Sequence, residues 1–381
     1  MRCRPTVVGI GETRIGRFPE RSYLDLQTEA ACLALADAGL PKEAVDGVFV
    51  NTPIRNPTFM AATALVKRLG LKPRVAATLD AHGAAACLLV AHAAASLEAG
   101  LCEVALCAIA REGYVGRDRP LRASLLMGGE DFEEPFGLVA PVVCYALAAR
   151  RHMHKFGTTS LQLGAVAVAM RRHASLNENA QKREPITLED HQASPLVSDP
   201  LRLLDCCLVS DCGGALVLTT ADRARDLPRR PVRLLSFAEA QSHLLVCEAE
   251  SLSTPVGKEL SNRLFGKAGL SPPDVGLALL YDSFTITVLI QLELYGFCAR
   301  GESGAFVEGG HIELEGDLPV NTHGGLLSQG HSEGFFHLTE GVRQLRGDGG
   351  NRQVEDLEVA LVTGAGGQAL GSLSALLLGK G

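Results

Sequence analysis

A helix-to-strand pattern occurs twice in this chain, and a duplicated unit of that kind limits the folds open to it. The stretch ALADAGLPKEAVDGVFVNT, Ala34–Thr52, reads as a helix, a stop at Gly39, a short loop and a strand. The stretch LFGKAGLSPPDVGLALLYD, Leu264–Asp282, reads the same way. Setting Gly39 against Gly269 pairs Leu40 with Leu270, Val45 with Val275, and the strand Gly47–Val50 with Leu277–Leu280. Two further echoes keep the same order. Glu-Val-Ala-Leu opens an apolar strand at Glu103 and again at Glu358, and the β-rich run Thr6–Ile10 answers Pro231–Ser236. Matches in one consistent order point to two copies of a single unit. Strands alternating with helices give sheets covered on both faces, so the fold class is α/β with predominantly parallel or mixed sheets. The expected division is a first half over residues 1–112 and 206–228, an inserted loop or lid region over 113–205, and a second half over 229–381.

Composition excludes several classes of function. A formal charge of -7, with basic and acidic residues mixed along the chain, leaves no polybasic face for nucleic acid. The apolar stretch around Val7–Ile10 is too short for a signal-peptide core, and no apolar run approaches the roughly 18 residues of a membrane span. Many of the 11 cysteines sit inside apolar stretches, as at Cys32, Cys87, Cys107 and Cys144, where they act as small hydrophobes. A reducing cytoplasm is the expected compartment. Cys206, Cys207 and Cys212 cluster without paired C-x-x-C spacing, so no metal site is expected.

The run Ala84–Ala99 is apolar on nearly every face and predicts a helix buried on all sides. It follows the strand-like Val75–Leu79 through His82-Gly83-Ala84. A strand feeding a buried helix through a tight turn can present a nucleophile, because the helix N-terminus stabilises a thiolate or oxyanion. This turn carries Gly83 instead. Cys87 lies one helical turn deeper among apolar neighbours, where a thiol is normally inert packing. In the second half, NTHGGLLSQGHSEG (Asn321–Gly334) sets the glycine pair Gly324 and Gly325 ahead of His331. Paired glycines let a backbone approach a ligand closely, and an imidazole can act as general base or polarise a carbonyl. A glycine-rich loop with a solvent histidine is the alternative.

The order of these motifs resembles the thiolase superfamily, in particular its sterol-carrier-protein-type and lipid-transfer-protein branch. The resemblance runs from VVGIGETRIGR (Val7–Arg17) to TGAGGQALGS (Thr363–Ser372), almost the whole chain. It implies a duplicated thiolase-like fold: mixed five-stranded sheets in layers with helices (αβαβα), plus the inserted loop domain. Counting back from Gly100, the family's acyl-accepting cysteine falls on Gly83. The block YDSFTITVLIQLELYGFC puts Tyr281 where the family has histidine or asparagine, and the catalytic histidine maps onto His331. His323 stands where thiolases usually carry a small residue. The last motif, Thr363–Gly367, keeps its glycines but lacks the second cysteine.

With both thiols gone, the resemblance is to the cysteine-less thiolase-like aldolases. It implies retro-aldol cleavage of a β-hydroxyacyl-CoA by Tyr281 and His331, with His323 a further catalytic candidate. The roles of acid and base stay open between Tyr281 and His331. His82, Gly83, Gly324, Gly325, Gly366 and Gly367 are the expected substrate- and CoA-binding positions. Coenzyme A enters as part of the substrate, with no tightly bound cofactor. The family implies a homodimer paired through Val75–Leu79, and a small OB-fold and zinc-ribbon partner subunit. Two other readings are an acyltransferase of thiolase type, using Cys87 or an unexpected nucleophile, and a non-catalytic acyl-CoA or lipid binder.

Overall fold

The computed structural model describes residues 5–53, 58–114, 128–129, 131–252 and 257–381. Residues 1–4, at the start of the segment read for a signal peptide, and 115–127, within the expected insert, lie outside the described residues.

The first half runs β1 (Pro5–Glu12), α1 (Tyr23–Ala38), β2 (Gly47–Val50), α2 (Ala61–Leu69), β3 (Val75–Thr78), α3 (Ala85–Glu98) and β4 (Val104–Glu112). Helix α1 starts at a capping box on Ser22 and stops where Gly39 turns left-handed, with φ 66°. Next come α4 (Pro141–Phe156), α5 (Ser160–Ser175), α6 (Leu188–Ala193) and the hairpin of β5 (Leu196–Ser198) and β6 (Leu201–Arg202). The chain continues through β7 (Asp211–Thr220), β8 (Val232–Gln241), α7 (Gly257–Ala268), β9 (Leu277–Leu279), α8 (Thr285–Leu294), α9 (Phe335–Arg346), β10 (Val359–Gly366) and β11 (Ser372–Lys380).

The strand order β3-β2-β4-β7-β1-β8-β11-β10-β9 makes the duplication visible. Outward from the β1·β8 junction, each half repeats the same sequence of strands: β1, β7, β4, β2 on one side and β8, β11, β10, β9 on the other. Pairing is parallel between β2 and β4 and between β9 and β10, and antiparallel at the remaining pairs of both sets. Among the described residues, two residue pairs, Thr6 with Arg233 and Val7 with Val232, join the two halves of the sheet.

The expected layering is present. Helices α3 and α9 each touch strands of both halves and form the central layer, α1 and α2 cover the first sheet, and α7 covers the second. The sheets differ in one respect from two sets of five. The first has five strands, whereas the second has four among the described residues, and the counterpart of β3 shrinks to a parallel bridge between Val320 and Ala278. Pro319 precedes that bridge, and its carbonyl accepts from the Ala278 N–H at 3.0 Å. A proline offers no N–H to extend the ladder.

Helix α3 suits its central place because it is built from small residues. Ala85, Ala86 and Ala93 are fully buried with Leu89 and Val90, in a core shared by both halves. Helices α4 and α5 pack over the second half, sharing a core with α8, and Tyr145 stacks on Phe284 at 4.6 Å between ring centroids. No helix among the described residues is long and apolar enough to cross a membrane.

Candidate active site

The two central helices start side by side, so the turns before α3 and α9 meet. The turn before α3 carries His82 at φ 48° and then Gly83; the turn before α9 carries Glu333 at φ 54° and then Gly334 at φ 81°. A Cβ added at Gly334 would lie 3.7 Å from the Gly83 carbonyl oxygen and 3.1 Å from the Tyr281 ring.

Gly83 has no room for a side chain. A Cβ there would stand 2.2 Å from the Tyr281 hydroxyl and ring carbon Cζ, and 2.2 Å from the Ala365 carbonyl oxygen. The glycines of β10 serve the same close approach, since a Cβ at Gly366 would meet the Ala81 carbonyl at 2.2 Å. Helix α3 therefore starts directly against the Thr363–Gly367 motif, with a phenol in the space a nucleophile would need.

The Tyr281 backbone is clamped from two elements. Its N–H donates to Thr363 Oγ1 at 2.9 Å, and its carbonyl accepts from Thr287 Oγ1 at 2.8 Å and Gln291 Nε2 at 2.7 Å. His331 stands edge-on to the phenol, with ring centroids 6.5 Å apart and planes at 89°. The His331 backbone N–H donates to Ser210 Oγ at 3.0 Å, while its Nδ1 is buried without a hydrogen-bond partner among the described residues. Burial raises the Tyr281 phenol well above its ordinary value, so it stays protonated. Burial, and then the charge of Arg111, push His331 well below its ordinary value, so its imidazole is neutral. One group can donate a proton while the other can accept one.

The other expected positions divide. His82 and Gly367 line an open cleft of about 530 Å³, together with Asp80, Ser242, His243 and Glu248. Gly324 and Gly325 instead make the turn that lets Asp282 cap the short helix Gly325–Ser328, accepting from the Leu326 N–H at 2.8 Å. A Cβ at Gly325 would strike that carboxylate at 1.9 Å. His323 lies behind His337, with centroids 4.7 Å apart, and neither of its ring nitrogens has a hydrogen-bond partner among the described residues. His337, 6.5 Å from Tyr281, separates the two, and its Nε2 faces the Leu280 carbonyl at 3.0 Å and Asp282 at 3.1 Å. Cys87 is buried in the shared core, its thiol pushed up to about 12 by burial. Cys207, beside the site, is pushed up to about 12 for the same reason.

Sequence reasoning missed Asn51, Arg111, Asp282, Glu333 and His337. Arg111 and Glu112 end an otherwise apolar strand, and polar residues at the carboxyl ends of strands in α/β sheets are the signal that could have flagged them. Glu333 is the one acid of the glycine-rich loop.

Residues 238–380 match the family model described as the thiolase C-terminal domain. The chain is 38% identical over 378 residues to a steroid side-chain-cleaving aldolase of Thermomonospora curvata, covering 94% of this chain and 95% of that one. It is 40% identical over 375 residues to the 17-hydroxy-3-oxo-4-pregnene-20-carboxyl-CoA lyase of Mycobacterium tuberculosis, covering 95% and 96%. Among solved structures it superposes on the Ltp2-ChsH2(DUF35) aldolase with a TM-score of 0.90 at 36% identity, covering 99% of this chain and 98% of that one. Similarity of this extent along nearly the whole chain assigns the family: the chain belongs to the thiolase superfamily, among its thiolase-like aldolases.

Proposed function

We propose that this chain is a carbon–carbon lyase that splits a β-hydroxyacyl-CoA by retro-aldol chemistry without a covalent intermediate. The observation that carries this reading is the Tyr281 phenol in the space of the missing nucleophile at Gly83. His331, neutral, accepts the β-hydroxyl proton. The Cα–Cβ bond breaks, leaving a ketone or aldehyde, and its electron pair moves onto the thioester oxygen as an enolate. Tyr281, protonated, donates a hydrogen bond to that oxygen. The proton held on His331 returns to the enolate carbon, which releases the product thioester and resets the site. His323, behind His337, supports that row of rings from a distance.

The acyl-CoA reaches the site through the cleft lined by His82 and Gly367, with Gly83 and Gly366 giving backbone clearance and the turn at Gly324 and Gly325 holding Asp282. The named substrates of the relatives make steroid carboxyl-CoA thioesters the first class to try. Coenzyme A enters only as part of the substrate. Of the basic run on α4, Arg150 pairs with Asp199 and Lys155 lies over Phe156, which favours a borrowed surface for the CoA phosphates. A small OB-fold and zinc-ribbon subunit would supply it, in keeping with the DUF35 component named in the neighbouring aldolase. Strand β3, at the sheet edge with alternate residues exposed, supports a homodimer formed by pairing with its own copy. The working division is 1–112 with 206–228, 113–205 and 229–381, and the working compartment is the cytoplasm.

Incubation with β-hydroxyacyl-CoAs, followed by mass spectrometry, tests the reaction. Release of a ketone or aldehyde with no mass change on the protein is expected. An acyl adduct would move the assignment to acyl transfer, and neither product nor adduct, with or without the partner, would leave a binder.

A further inference from the structure

Arg111 ends β4 and Glu333 precedes α9, 222 positions apart in the chain. Arg111 Nη1 donates to Glu333 Oε1 at 3.3 Å, and the other carboxylate oxygen accepts from Asn51 Nδ2 at 2.8 Å. Asn51 follows β2, and its carbonyl accepts from the Tyr23 hydroxyl of α1 at 2.9 Å. A residue of the second half is thus tied to three elements of the first. Two features say that this tie is not incidental. Glu333 holds φ at 54°, a left-handed backbone that is unfavourable for a non-glycine residue and persists only where its surroundings enforce it. Its carboxylate is also buried, which raises it above its ordinary value, and the Arg111 charge opposes that rise.

We propose that the Arg111–Glu333 pair is a positioning device for His331: Glu333 fixes the segment Gly330–Gly334 against the first half, and Arg111 sets a permanent positive charge beside the imidazole. The proposal rests on the reading of His331 as the proton acceptor. The groups that face His331 come from four elements and its own loop. Arg111 lies on β4, in register with Cys212 of β7, whose thiol is 3.6 Å from the His331 carbonyl; Tyr281 follows β9; His337 lies on α9; Glu333 is two residues on. Arg111 is the permanent cation of this set. Its charge disfavours the imidazolium in the resting site, adding to the effect of burial. The imidazole is then free to accept a proton at neutral pH, and the imidazolium formed in turnover is a strong acid that gives the proton back. Glu333 holds the guanidinium in place and moderates its charge.

The test is the titration of His331 in the full chain by histidine NMR, with its signal assigned by its loss in H331A. No substrate is needed, so the outcome is independent of whether the chain is a lyase; turnover of a β-hydroxyacyl-CoA by the wild type decides that separately. In the wild type the midpoint lies below the ordinary histidine value. Arg111→Gln is expected to raise it by about one pH unit, a tenfold change in acidity, while Arg111→Lys, which keeps the charge, stays near the wild-type midpoint. The acid limb of kcat/KM should move with it. An unmoved midpoint in folded Arg111→Gln overturns the proposal. Should that variant fail to fold, Glu333→Gln carries the test: with Arg111 uncompensated the midpoint falls further, and an unchanged or raised midpoint overturns the proposal.

Discussion

The hydroxyl of Tyr281 stands 2.2 Å from the point where Gly83 would carry its Cβ. The two positions exclude one another, so a side chain at 83 and a phenol at 281 cannot share this site as it is packed. The glycine at 83 and the phenol at 281 are therefore coupled: the packing around one depends on the other.

Restoring the thiol should accordingly not restore thiolase chemistry. We predict that Gly83→Cys loses most of its turnover and forms no acyl adduct on incubation with acyl-CoA, because the Ala365 carbonyl blocks the same space from the backbone side. Intact-protein mass spectrometry decides it, and an adduct on the introduced thiol would show that the space can open.

Removing the phenol hydroxyl or the imidazole should affect chemistry rather than binding. Tyr281→Phe and His331→Ala are each expected to lower turnover about a hundredfold or more, with acyl-CoA affinity nearly unchanged by calorimetry. Full turnover in both variants would move the reaction elsewhere in the cleft.

Cys87 should behave as packing. Burial holds its thiol at about 12, so it should resist alkylation in the native protein at neutral pH. Cys87→Ala is expected to keep activity within a few fold and to cost on the order of 1 to 2 kcal/mol from the cavity it leaves. Denaturant unfolding and a turnover assay measure both, and loss of activity in a folded variant would revive acyl transfer through this thiol.

Stability should fall on mild acidification. His173 is buried, and burial lowers it from an ordinary 6.5 to about 4. Below pH 6.5 the unfolded chain binds a proton that the folded chain refuses. The stabilisation is thus complete above 6.5 and is lost progressively as pH falls towards 4, by roughly 3 kcal/mol for this one residue. Urea unfolding at pH 7 and pH 5 should show the difference, and His173→Leu should reduce it. An identical pH dependence in that variant would contradict this origin.

Much of the architecture was legible in the sequence. The helix stop at Gly39 and the matched strands Gly47–Val50 and Leu277–Leu279 follow from local conformational preference and short apolar runs buried throughout, both written into consecutive residues. The buried alanine-rich helix with glycine at its start could be read the same way, and so could the absence of both thiols. The fifth strand of the second sheet could not. Whether Val320 extends a ladder or makes a single bridge depends on how the loop around Pro319 lies against β9.

The site itself divides along the same line. The sequence by itself determined the candidate groups Tyr281 and His331, because each sits in a motif whose residues are neighbours in the chain. It determined nothing about their company. Tyr281 meets Gly83 across 198 positions only because α3 starts against the ends of β9 and β10, and Arg111, Asn51 and Glu333 converge because α9 starts beside it. The protonation states of the phenol and the imidazole were likewise decided by tertiary structure, since they follow from burial and a neighbouring guanidinium rather than from residue type. Local sequence encodes which segments fold into helices and strands, but distances between segments arise only when the layers pack.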